Sequence, residues 1–170
     1  MAIMTMVMIQ APVTPAAWAL LQILEMAVTP LAAAMVVDYW YDKNGWSYPG
    51  KNALLDHLHH FMGTSYSGWT SYRKAENGIM DTTDELGHFL YAYNDWWVSW
   101  GDIKNEIDDM HPFVLNMTDG GHYGDHSVTG IGYLGGSSSG HVILYDGWNT
   151  WTHYLGYGNW GTPTVMTGVN

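Results

Sequence analysis

Apolar and polar positions divide this chain into a helical front half and a β-rich back half. Met1–Gln10 alternates unbranched Met with β-branched Ile, Thr and Val, which predicts a strand ended by Pro12 and Pro15. Ala16–Met26 reads as a helix. Thr29-Pro30 reads as a helix start, with Thr29 as N-cap and Pro30 in the first turn. The helix it opens, Leu31 to about Tyr39, is apolar on every face and predicts a central position. Asp42-Lys-Asn-Gly45 closes it.

Lys51–Met62 carries an amphipathic helical pattern that ends at Gly63. Residues 64 to 80, rich in Ser, Gly and Tyr, read as loop. Thr82 or Thr83 is the expected cap of a helix reaching about Tyr93. Ser99-Trp-Gly-Asp102 is a capping box for a further helix ending near Met110, before Pro112. Four short β-rich runs follow between Gly, Ser and Asn turns: Phe113–Met117, Ser127–Leu134, His141–Tyr145 and Trp151–Tyr157. Helices first and an antiparallel sheet second is an α+β arrangement. The chain divides into an apolar segment, residues 1–26, and a domain over residues 27–170.

Composition narrows the function classes. Five basic against sixteen acidic residues give a net charge of −11, which leaves no basic patch for nucleic acid and disfavours anionic membrane surfaces. Only 12% of residues are charged, while Trp numbers 10, Tyr 12 and Gly 20; this profile suits an extracellular or cell-surface domain. Residues 1–37 hold one charged side chain, Glu25. No basic residue precedes the apolar stretch, as a secretory signal needs, and prolines and polar residues interrupt any membrane span. The segment is therefore expected to be buried, against its own domain or, through residues 1–11, against a second copy.

Candidate chemistry lies in the back half. His126 begins one strand-like run and Asp146 ends the next, so antiparallel pairing brings an imidazole and a carboxylate within reach, two members of a nucleophilic triad. The chain has no cysteine. Other features have plainer readings. His57, His59 and His60 crowd one helix without an evident third metal ligand, so a solvated face is expected and no metal. Trp96, Trp97, Trp100, Trp148, Trp151 and Trp160 read chiefly as core or interface. Asn116-Met-Thr118 fits the glycosylation acceptor pattern. No motif implies a cofactor.

Four stretches in this order resemble a known family: Thr29-Pro-Leu-Ala-Ala-Ala-Met-Val-Val-Asp-Tyr-Trp40, Ile103–Leu115, His122–Tyr133 and Tyr145-Asp-Gly-Trp148. They are similar to papain-like cysteine peptidases of the bacteriocin-leader-processing branch (cysteine-peptidase family thirty-nine and its "-like" relatives). The resemblance implies a papain-like fold and a catalytic set made of a cysteine ahead of a helix, a histidine, and an Asp or Asn. Here Ala27-Val28-Thr29-Pro30 stands where the family has Gly-Cys-Thr-Pro, so Val28 occupies the nucleophile position. The histidine falls on His126 and the acid on Asp146, with Gln22 a weak candidate for oxyanion donor. The expected function is a catalytically silent peptidase-like domain with a binding or structural role outside the cell, its partner a peptide, a protein or a second copy in a larger assembly. Two alternatives accompany it: an active thiol peptidase, which requires cysteine at position 28, and a carbohydrate-binding module using exposed tryptophans.

Overall fold

The computed structural model describes residues 4–9, 27–118 and 121–170. Within them lie four helices and a seven-stranded antiparallel sheet. The elements are β1 (Thr5–Met8), α1 (Val28–Asn44), α2 (Lys51–Phe61), a 3₁₀ turn (Tyr72–Lys74), α3 (Ala75–Glu85), β2 (Ala92–Asp95), α4 (Trp100–Asp108), β3 (Phe113–Met117), β4 (His126–Gly135), β5 (Gly140–Tyr145), β6 (His153–Gly156) and β7 (Thr164–Val169). The sheet runs β2-β7-β3-β4-β5-β6. This is the α+β, papain-like arrangement expected from the sequence.

Ten-residue β4 organises the sheet. One side pairs with β5, Thr129 opposite Tyr145 through Gly135 opposite Gly140. The other side pairs first with β3, over residues 126–130, and then with β1, over residues 132–135. Because β5 already occupies the same stretch of β4, β1 must continue the line of β3. The predicted N-terminal strand therefore adds to its own domain, which removes the main argument for residues 1–11 as an assembly element. Gly132 admits it: a Cβ there would sit 2.5 Å from the Val7 carbonyl oxygen. The helix expected over Ala16–Met26, and Gln22 within it, lie outside the described residues.

α1 is the buried centre. Its alanine run favours helix, and every residue from Ala32 to Tyr41 is buried. Gly45, at φ 67, ends it in the left-handed conformation that glycine adopts without steric penalty. Its one buried carboxylate, Asp38, accepts hydrogen bonds from Lys51 Nζ at 2.7 Å and from Tyr48, tying α1 to the start of α2. The helix starts at Val28, with Ala27 as an N-cap that offers no side-chain bond. Thr29 is thus not the cap: its hydroxyl bonds Ser127 Oγ on β4 instead.

Two further expectations are corrected. Residues 64–80 are not all loop, because α3 begins at Ala75. Thr82 and Thr83 lie in the last turns of α3, not at its start. The Thr83 hydroxyl donates back to the Ile79 carbonyl and accepts from Leu90 N, so it stabilises the exit from the helix. The chain beyond forms β2, and β7 was also missed. The Ser99 capping box is present in full, with Ser99 Oγ accepting from Asp102 N and Asp102 Oδ2 from Ser99 N. No helix of the described residues is long and apolar enough to cross a membrane.

Candidate active-site cleft

Two hydroxyl contacts dock α1 onto β4 and so fix where Val28 sits. Thr29 Oγ1 lies 2.8 Å from Ser127 Oγ, and Thr129 Oγ1 donates to the Ala32 carbonyl at 3.0 Å. Ser127 and Thr129 are two apart on a strand, hence on one face, and Thr29 and Ala32 are three apart on a helix. Val28, half-buried, is the first residue of α1 and faces a cleft of about 610 Å³. That cleft is also lined by Thr29, by Asn116 and Met117 of β3, by Asp125, His126 and Ser127, by the segment Ser67–Thr70 with Tyr72, and by Trp148. Val28 and His126 line one cavity.

His126 is 5% exposed and forms a three-ring cluster with Tyr123 and Trp148, which also touch each other at 5.4 Å. Tyr123 stacks on it at 5.4 Å and 17°, and Trp148 covers it at 4.5 Å and 40°. Its Nε2 is 2.7 Å from the backbone oxygen of Asp146. A carbonyl can only accept, so in the neutral ring Nε2 carries the proton and Nδ1 holds the lone pair. Burial pushes the imidazole below its usual range, partly opposed by the bond to the Asp146 carbonyl and by the nearby carboxylate. Near neutral pH the ring is a neutral base with Nδ1 available to take a proton.

Asp146 pairs with His126 through its backbone, not through the carboxylate expected from the sequence. The turn explains why. After β5 the chain reverses at Gly147, φ 81, which folds the Asp146 side chain back so that Oδ1 accepts from Trp148 N at 3.0 Å. Oδ2 lies 3.3 Å from His153 Nε2, and the Tyr123 hydroxyl reaches it at 3.5 Å. The carboxylate thus holds the Trp148 amide and lies beside His153, whose Nε2 is 3.0 Å from Asn149 Oδ1, while the carbonyl fixes the tautomer of His126. The nearby charge raises the Tyr123 phenol further, to about 12, after burial as the larger cause.

Sequence reasoning missed a polar row beneath the cleft. The Ser127 hydroxyl donates to Asn116 Oδ1 at 2.8 Å, across a register pair of β4 and β3. With its one proton so placed, Ser127 accepts from Thr29. Asn116 Nδ2 reaches Thr167 Oγ1 at 3.3 Å on β7, and Thr167 donates to Asn94 Oδ1 at 2.6 Å on β2. Hydroxyls and amides on α1, β4, β3, β7 and β2 thus point one way. The signal for it was an asparagine inside the otherwise apolar Phe113–Met117. Asn116 is 1% exposed, so its glycosylation pattern is inaccessible in the folded domain.

A family model, the Peptidase_C39 like family, matches residues 29–159, well over half of the chain. The chain belongs to that family. No curated protein matches it. Within this peptidase-C39-like domain the match begins one residue after Val28 and spans His126 and Asp146. The cysteine on which such peptidases depend is absent from the whole chain.

Two other groups singled out from sequence resolve as follows. Among the described residues, no three His, Cys, Asp or Glu side chains are placed to hold a metal ion, His57, His59 and His60 included. Trp96, Trp97, Trp148 and Trp151 are exposed and so are not core, whereas Trp100 is buried. Trp148 borders the cleft, and Trp96 and Trp97 line a second cavity.

Proposed function

We propose that this peptidase-C39-like domain binds a peptide or protein segment in the Val28–His126 cleft and does not cut it. One observation carries the reading: a neutral, positioned imidazole shares a cleft with a helix start that presents valine, in a chain without any thiol. A thiol at that helix start would be favoured as thiolate by the macrodipole and by His126 as proton acceptor. Valine offers neither proton nor lone pair. Removing a nucleophile from a working set lowers turnover on the order of a million-fold. Thr29 and Ser127 are poor substitutes, since their protons go to Ser127 and Asn116, not to the imidazole. The low share of charged residues, 12%, supports a site outside the cell.

The test combines binding and turnover. Mixed peptides are added while tryptophan fluorescence is followed, because Trp69 and Trp148 both border the cleft and are exposed. Saturable quenching with no new peptide termini by mass spectrometry is expected. Cleavage by the unmodified chain, lost on His126→Ala, would overturn the reading. A second reading, carbohydrate binding, is favoured by the exposure of Trp96, Trp97, Trp148 and Trp151. Oligosaccharide titrations in the same assay separate the two.

A further inference from the structure

The second cavity, about 600 Å³, is lined by Trp96, Trp97, Val98, Trp160 and Pro163, with Thr162 and Thr164 beside them. Trp97 is 89% exposed, an unusual placement for an indole. This cavity abuts the cleft along one wall. Tyr72 of the cleft meets Trp96 of the cavity edge to face, ring centroids 5.8 Å apart. Thr118 of the cleft donates to the Pro163 carbonyl at 2.5 Å, and Met117 of the cleft pairs in register with Thr164. The guanidinium of Arg73, one of five basic residues in the chain, lies over both rings at the junction, 5.8 Å from Tyr72 and 5.3 Å from Trp96.

Resting on the peptide-binding reading above, we propose that the Trp96–Trp97–Trp160 cavity is a subsite of the same cleft, taking an aromatic or prolyl residue of the bound peptide. An extended chain advances about 3.3 Å per residue, so about two residues span the Tyr72–Trp96 step. Along that step Arg73 offers donors to main-chain carbonyls. The pocket itself presents indole faces and a pyrrolidine ring, surfaces that stack on aromatic rings and proline. A peptide is favoured over a sugar because the linings of the two cavities touch, at Tyr72–Trp96 and Thr118–Pro163, and a cation sits where a chain of carbonyls would cross.

The experiment pans a phage-displayed library of random dodecapeptides on the full chain and on Trp97→Ala, with Trp97→Phe as rescue. Trp151→Ala serves as control, an exposed indole outside both cavities. The unmodified chain should enrich Phe, Tyr, Trp or Pro at one fixed position. Trp97→Ala should lose that preference, keep the rest of the motif, and bind the selected peptide about tenfold more weakly or worse. Trp97→Phe should restore much of the affinity, and Trp151→Ala should change nothing. A selected motif indifferent to Trp97 overturns the subsite and leaves the peptide-binding cleft standing. No enrichment at all overturns both. Binding of cellohexaose or chitohexaose that depends on Trp97 assigns the cavity to a glycan and overturns the proposal.

Discussion

Replacing Asn116 with leucine tests the polar row that holds the cleft floor. The two side chains are close in size, so the change removes hydrogen bonding with little loss of volume. Asn116→Leu deletes the 2.8 Å bond from Ser127 and the 3.3 Å bond to Thr167, while Thr167 keeps its 2.6 Å donation to Asn94. Ser127 can turn its proton to Thr29, but Thr29 then has none to accept its own, so one buried hydroxyl proton is stranded whichever way the pair orients. An unsatisfied buried group costs about 1–3 kcal/mol, and the Nδ2 bonds, being long, add little. About 2 kcal/mol corresponds to roughly 4–8 °C in Tm for a chain of this size. Differential scanning calorimetry reads the shift. A cycle with Ser127→Ala should return a coupling of about 0.5 kcal/mol or more. An unchanged or raised Tm, with no coupling, would refute the directional row.

Other changes probe other contacts. Because burial lowers the His126 pKa, its contribution to stability is complete above the ordinary value near 6.5 and is lost as pH falls toward the folded value. Thermal melts between pH 8 and pH 5 should fall less steeply for His126→Gln than for the unmodified chain, and the ring should titrate below 6.5 by NMR. Asp146→Asn leaves the carbonyl that holds His126 Nε2 in place, so the ring nitrogen shifts should keep the Nε2–H tautomer; a change of tautomer would mean that the carboxylate governs the ring. Gly130→Ala puts a methyl 2.3 Å from the buried Phe113 ring, which must move, and should cost about 1–3 kcal/mol by urea denaturation.

Much of the fold was legible because local rules and tertiary packing agreed. The Ser99 capping box, the helix end at Asp42–Gly45 and the apolar strands of the back half each appear where the sequence placed them. The misses have separate causes. Thr29 looks like an N-cap but bonds Ser127, 98 residues away. Thr83 looks like a helix start but back-bonds Ile79 and catches Leu90. β2 and β7 pair with each other at one side of the sheet and carry Tyr, Asn, Thr and Gly, too mixed a pattern to read alone. At the site, the order of residues placed His126 and Asp146 together, but whether carbonyl or carboxylate faces the ring depends on the turn at Gly147, which no spacing rule encodes.

Alkylation of a Val28→Cys variant by iodoacetamide, followed from pH 5 to pH 9 with and without His126→Ala, addresses the missing nucleophile directly. If the cleft retains everything except its thiol, the variant reacts near pH 7 faster than an ordinary thiol with a pKa of about 8.5, and His126→Ala slows that reaction. A thiol that resists labelling, or that titrates like a free cysteine whether or not His126 is present, would contradict the account.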